Sequence, residues 1–216
     1  MLALWDTASG EVSHPLPGSA SIESVAAHNG TVYAVAEWPD RPATLLSLTA
    51  DGEAVRIAGP EGPSSGPVAP RAHWAEGPAG PVHSWLYLPE AERPPLLVMT
   101  HGGPTSMATA SYDATVQFWV SRGFAVVDVN YSGSTGFGRA YRDRLRGAWG
   151  VLDVADAAAV VTSLADGGLI DASRVAITGG SAGGFTTLAS LVSTDVYSAG
   201  ISRYGIGYLP TLATDA

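Results

Sequence analysis

A serine set among small residues, at the join of an apolar strand and a helical stretch, is the feature of this sequence best able to do chemistry. Gly179-Gly180-Ser181-Ala182-Gly183 follows Arg174–Thr178 and precedes Phe185–Ala189. This is G-x-S-x-G in the strand–turn–helix setting of a nucleophile elbow. Gly179 and Gly183 must be small so that strand and helix can approach. The helix N-terminus then aims backbone N–H groups at an oxyanion developing beside Ser181. A glycine-rich turn that binds phosphate, or does nothing, shares the same five residues. The flanking strand and helix favour Ser181 as a nucleophile.

His101-Gly102-Gly103-Pro104, directly after the apolar run Leu96–Thr100, is the second signal. In α/β-hydrolases a loop after an early strand supplies a second oxyanion donor. Gly103 is the expected donor, with Gly102 as a near rival. His101 is not the expected base, because in this fold the triad runs serine, acid, histidine. It is expected to shape the loop by hydrogen bonding. A third segment, Asn130-Tyr131-Ser132-Gly133-Ser134-Thr135-Gly136-Phe137-Gly138, is Gly/Ser-rich. It reads poorly as a phosphate cradle, since no Gly-Lys-Ser/Thr follows.

The elements that position these residues change character along the chain. Residues 1–58 read as short strands at Leu2–Trp5, Ser24–His28, Thr31–Trp38, Thr44–Leu48 and Glu53–Ile57. Asn29-Gly30 and Asp51-Gly52 between them are strong hairpin signals. Residues 59–70 are dense in Gly, Pro and Ser and read as a linker, dividing a β-segment (1–70) from a second domain (71–216). There, strands at Val82–Leu88, Leu96–Thr100, Phe124–Asn130, Arg174–Thr178 and Ala199–Arg203 alternate with helices at Ala110–Ser121, Gly138–Arg146, Val151–Ala165 and Ala182–Ser193. Continuous apolar strands alternating with helices predict an α/β fold, a mostly parallel sheet with helices on both faces. Gly123 and Gly167-Gly168 suit helix C-termini. Asp153 and Asp156 lie in first turns, where carboxylates favour the dipole.

Composition narrows the function. Hydrophobic residues make up 46%, enough for a core. A net charge of −9 disfavours nucleic acid as a partner. With no cysteine there is no disulfide, thiolate zinc site or Cys nucleophile, and no metal or cofactor is expected. Neither a secretory leader nor a membrane span is visible, and a cytoplasmic setting is expected.

Taken together, His83–Pro89, Thr100–Pro104, Asn130–Gly150, Asp153–Val161 and Gly179–Ala189 resemble the prolyl oligopeptidase family of serine peptidases, in its acylaminoacyl-peptidase-like branch. The resemblance covers about residues 80–212. It implies an α/β-hydrolase domain preceded by a β-propeller, of which 1–58 would be the last part. It also implies Ser181 as nucleophile, the N–H groups of Gly103 and Ala182 as oxyanion hole, a supporting loop with His101, Gly102 and Tyr131, and short peptides as substrates. Ser132 stands where relatives often carry Arg. The family's triad Asp and His come later than any match here. All five histidines precede Ser181, and Asp195 and Asp215 are the only acids after it. The chain is therefore expected to be a fragment, with little activity alone. An esterase or lipase of the same fold, and a non-catalytic binding module, are the rival readings.

Overall fold

The computed structural model describes residues 2–49, 51–63 and 66–209. It divides into two compact units. The first runs through Pro70 and includes Thr109–Gln117; the second holds Arg71–Ala108 and the chain from Phe118 onward.

The first unit opens with a short antiparallel pair, β1 (Leu4–Trp5) and β2 (Val12–Ser13). A four-stranded antiparallel meander follows in chain order: β3 (Ser21–His28), β4 (Thr31–Glu37), β5 (Thr44–Leu48) and β6 (Ala54–Ala58). The Asn29-Gly30 turn closes β3 onto β4 with both residues at positive φ, 47° and 76°. That geometry matches the right-handed twist of the flanking strands. Ala34, Ala36 and Trp38 alternate inward and pack with Leu46, Leu48 and Leu16. Thr109–Gln117 is bound to this unit by the Tyr112 N–H donating to the Trp38 carbonyl at 2.7 Å and by Gln117 bonding both N–H and C=O of Val68.

The second unit is a six-stranded sheet. Its strands are β7 (Arg71–Gly77), β8 (Gly80–Tyr87), β9 (Leu96–Thr100), β10 (Ala125–Asn130), β11 (Val175–Gly180) and β12 (Ala199–Arg203), in the order β12-β11-β9-β10-β8-β7. The first four in that order are mutually parallel, and β8 and β7 add an antiparallel edge hairpin. Leu96, Leu97 and Val98 of β9 are buried on both faces, as are Val126, Val127 and Val129 of β10, which explains their unbroken apolar runs. β7 was not expected, because on this edge strand only Ala75 is buried.

The helices are α1 (Ala114–Val120), α2 (Arg139–Asp143), α3 (Leu152–Asp166) and α4 (Ala182–Ser193). α1 starts four residues later than expected because the Asp113 carboxylate accepts the N–H groups of Thr115 and Val116, capping the helix there. α3 lays Val154, Ala157, Val160, Val161 and Leu164 against the core, packing on β7, β8 and β9. α4 packs on β9, β11 and β12 and touches α3. The architecture is an α/β-hydrolase domain, preceded by a β-rich segment of the kind that ends a β-propeller.

Candidate active site

Ser181 occupies the turn between β11 and α4 with φ 54° and ψ −119°. A non-glycine residue at positive φ is uncommon, and such strain persists only where neighbours impose it. Here they do. The Ser181 N–H donates to the Arg203 carbonyl at 3.1 Å, holding the turn to the end of β12. A Cβ on Gly179 would overlap the Gly183 carbonyl, and one on Gly183 would overlap the Thr100 carbonyl oxygen. The Thr100 hydroxyl donates to the Gly183 carbonyl at 3.0 Å, and the Thr187 hydroxyl to the same oxygen at 2.9 Å. Two residues outside the sequence motif share this role. Gly184, the residue after the motif, lies against Gly205, and Thr100 sits at the end of β9; only the fold brings Gly205 and Thr100 to the elbow.

The Ser181 side is solvent-exposed, while Ala182 is buried and begins α4, so its N–H belongs to the first-turn donors that have no intrahelical partner. Gly102 is the immediate neighbour: a Cβ built there would stand 3.6 Å from that of Ser181. Gly103 follows at φ 122°, a backbone conformation open to glycine. A cleft of about 220 Å³ opens here, lined by Thr100, Gly102, Asp128, Ser181, Arg203 and Tyr204 among others. It sits at the carboxyl ends of parallel strands, where open α/β sheets bind ligands. The first unit has a larger cavity, about 600 Å³ around Trp38, Arg41 and Leu46. That cavity brings no elbow serine together with N–H donors, so the smaller cleft is the candidate site.

The loop after β9 is held from several sides. His101 stacks on Tyr131, with centroids 4.3 Å apart, and the Tyr131 hydroxyl donates to the His101 carbonyl at 2.8 Å. Burial pushes the Tyr131 hydroxyl up and the His101 imidazolium down in pKa. Thr135 N–H donates to the Ser106 carbonyl, and Asn130 bonds both N–H and C=O of Ala108. The His101 ring nitrogens both have partners, Gly102 O and Ser134 Oγ, each at 2.8 Å. His73 and His83 belong to β7 and β8, three and more strands away from β11.

Asp153 and Asp156 do more than face a helix dipole. Both are fully buried. Asp153 accepts from the Gly150 N–H and the Thr186 hydroxyl, joining α3 to α4. Asp156 accepts the Ser132 N–H at 2.7 Å, anchoring the loop after β10. Asp156 Oδ1 and Ser132 Oγ have no hydrogen-bond partner among the described residues. Desolvation raises the pKa of both carboxyls. With folded values above unfolded ones, their stabilising contribution is full when protonated and is lost as pH rises through the folded values. Asp156→Asn keeps the acceptor for Ser132 and removes the buried charge. It is expected to raise stability at neutral pH by about 1–2 kcal/mol. The gain should shrink as pH falls into the ordinary carboxylate range. Urea unfolding at both pH values checks this; a loss of stability at neutral pH would mean the charge is compensated.

Residues 110–216 match the family model described as the prolyl oligopeptidase family. The chain belongs to this family. Among curated relatives it is similar to acylamino-acid-releasing enzyme 2 of Oryza sativa subsp. japonica, 42% identical over 98 residues, 45% of this chain and 13% of the relative. It is also similar to dipeptidyl aminopeptidase BIII of Pseudoxanthomonas mexicana, 36% identical over 119 residues, 55% of this chain and 17% of the relative. Among solved structures, a puromycin-hydrolyzing peptidase of Mycobacterium tuberculosis superposes with a TM-score of 0.87 and 37% identity, over 99% of this chain and 35% of that one. Pyrococcus horikoshii acylaminoacyl peptidase superposes with a TM-score of 0.80 and 28% identity, over 97% and 34%. This prolyl oligopeptidase family chain thus spans about a third of those solved relatives and less of the curated ones. Among the described residues no helix is long and apolar enough to cross a membrane.

Proposed function

We propose that this chain carries the nucleophile half of a serine peptidase site that hydrolyses short peptides by acyl transfer. The observation that carries the reading is Ser181 at positive φ on the β11–α4 turn, with Gly102 against it. Ser181 Oγ gives its proton to a histidine base and attacks the peptide carbonyl carbon. The N–H groups of Gly103 and Ala182 hold the oxyanion. The C–N bond breaks, the leaving amine takes the proton, and water then hydrolyses the acyl-enzyme. By family resemblance, the base and its orienting Asp come from sequence beyond the segments matched here, and residues 1–58 are the last part of a propeller that restricts access to short peptides. The names of the relatives, an acylamino-acid-releasing enzyme and a dipeptidyl aminopeptidase, support peptides over other acyl donors. We place the protein in the cytoplasm, away from nucleic acid and membrane, in keeping with its acidic, cysteine-free sequence.

The test grafts residues 71–209 into the matched stretch of the Mycobacterium tuberculosis peptidase. The chimera is expected to cleave peptide anilides, with Ser181→Ala lowering kcat by roughly 10⁴-fold or more. A folded chimera that cleaves only short esters would favour the esterase reading. Turnover unaffected by Ser181→Ala would overturn the nucleophile.

A further inference from the structure

The buried contacts of His101 reach beyond loop packing, because they decide where a backbone N–H points. Three links run in series: Gly102 O to His101 Nδ1 at 2.8 Å, His101 Nε2 to Ser134 Oγ at 2.8 Å, and Ser134 Oγ to Tyr131 O at 2.7 Å. Both ends of the series are carbonyl oxygens, which only accept. A neutral imidazole and one hydroxyl bring two protons to three links, so one link goes without. Burial opposes charging the ring, so an imidazolium does not supply the third.

The choice of the proton-free link follows from the neighbours. When the hydroxyl turns from Tyr131 to the ring, Oγ lies 2.7 Å from the Tyr131 oxygen without a proton between them, but that oxygen keeps the Ser134 N–H as a donor at 3.0 Å. If the hydroxyl instead turned to Tyr131, Nε2 would carry the ring proton. The bare Nδ1 would then face the Gly102 carbonyl, lone pair to lone pair. The arrangement that leaves no ring nitrogen unpaired has Ser134 donating to Nε2 and Nδ1–H donating to Gly102 O. In a trans peptide the C=O of one residue and the N–H of the next lie in one plane and point oppositely. Tying Gly102 O to the His101 ring therefore turns the Gly103 N–H away from that ring.

We propose that Ser134 selects the Nδ1–H tautomer of His101, and that this tautomer fixes the direction of the Gly103 N–H as an oxyanion donor. Ser134 and His101 are thereby positioning residues, acting through a backbone group and touching no substrate. The assignment of Gly103 as donor rests on the proposed function; the tautomer does not.

The test is nitrogen NMR on the 216-residue chain with ¹⁵N-labelled histidine. His101→Asn identifies the His101 signals among those of the five histidines. The expected wild-type pattern at neutral pH is a single Nδ1-protonated tautomer. Ser134→Ala is expected to replace it with a mixture and to shift the Gly103 amide resonance, and Ser134→Thr, which keeps the hydroxyl, to restore both. In the chimera, Ser134→Ala should lower kcat about tenfold with KM unchanged, a fraction of what losing a whole oxyanion donor costs. A wild-type Nε2–H pattern overturns the proposal even if Ser134→Ala does not fold, and so does a pattern that Ser134→Ala leaves unchanged. A tautomer that behaves as expected in a chimera without Ser181-dependent turnover overturns the nucleophile reading alone.

Discussion

Gly183→Ala is expected to destabilise the second unit by about 3 kcal/mol or more, beyond the usual range for a single added methyl in a packed core. The reason is geometric. A Cβ at Gly183 would overlap the Thr100 carbonyl oxygen and lie 2.7 Å from the His101 carbonyl oxygen. Neither obstacle is a side chain that can rotate away, since both are backbone atoms at the end of the buried strand β9. Relief requires α4 to withdraw from β9, which breaks the Thr100 hydroxyl bond to Gly183 O. Gly123→Ala is the control. A Cβ there meets nothing within 4 Å, and its positive φ alone costs about 1 kcal/mol. Urea unfolding of the two variants separates strain from overlap. A Gly183→Ala midpoint equal to that of Gly123→Ala would mean that the elbow can open without loss.

Fluorophosphonate is expected to label Ser181 in the 216-residue chain at least about 10³-fold more slowly than in the chimera, because a serine hydroxyl without a base is a weak nucleophile. Each histidine of the second unit has a reason not to serve. His101 has both ring nitrogens engaged. His83 bonds Asn130, and His73 lies within 3.2 Å of the Ser163 hydroxyl. β8 lies three strand spacings from β11, roughly 14 Å at the usual inter-strand distance. Comparing labelling rates of both folded proteins, each beside its Ser181→Ala variant, decides the matter. Equal rates would mean that a group already in this chain activates Ser181.

The parts of this architecture that repeat a local pattern were legible from residues alone. β9 and β10 announced themselves because burial on both faces demands continuous apolar side chains. The elbow was legible because sterics demand glycine at fixed offsets from Ser181. The meander turn at Asn29-Gly30 was legible because both residues accept positive φ. What escaped depends on distant partners. Thr100 is an unremarkable strand end until Gly183 arrives against it. Asp153 and Asp156 read as helix-start carboxylates, although their partners lie at Gly150, Thr186 and Ser132. β7 carries little apolar signal because an edge strand has little to bury. Ser134 was visible only as one more small residue in a Gly/Ser-rich loop, since its importance lies in a ring 33 positions earlier.

The first unit is not continuous in sequence: Thr109–Gln117 belongs to it, although β7, β8 and β9 come between. On a ribosome this separates the emergence of Pro70 from the completion of that unit. At about 5–20 residues per second, the segment bearing Tyr112 and Gln117 is made roughly two to nine seconds after Pro70. Through that interval the Trp38 carbonyl and the Val68 backbone must wait for their partners. The first unit is therefore finished only after the first strands of the following domain have left the tunnel, so its completion waits on part of its neighbour's synthesis.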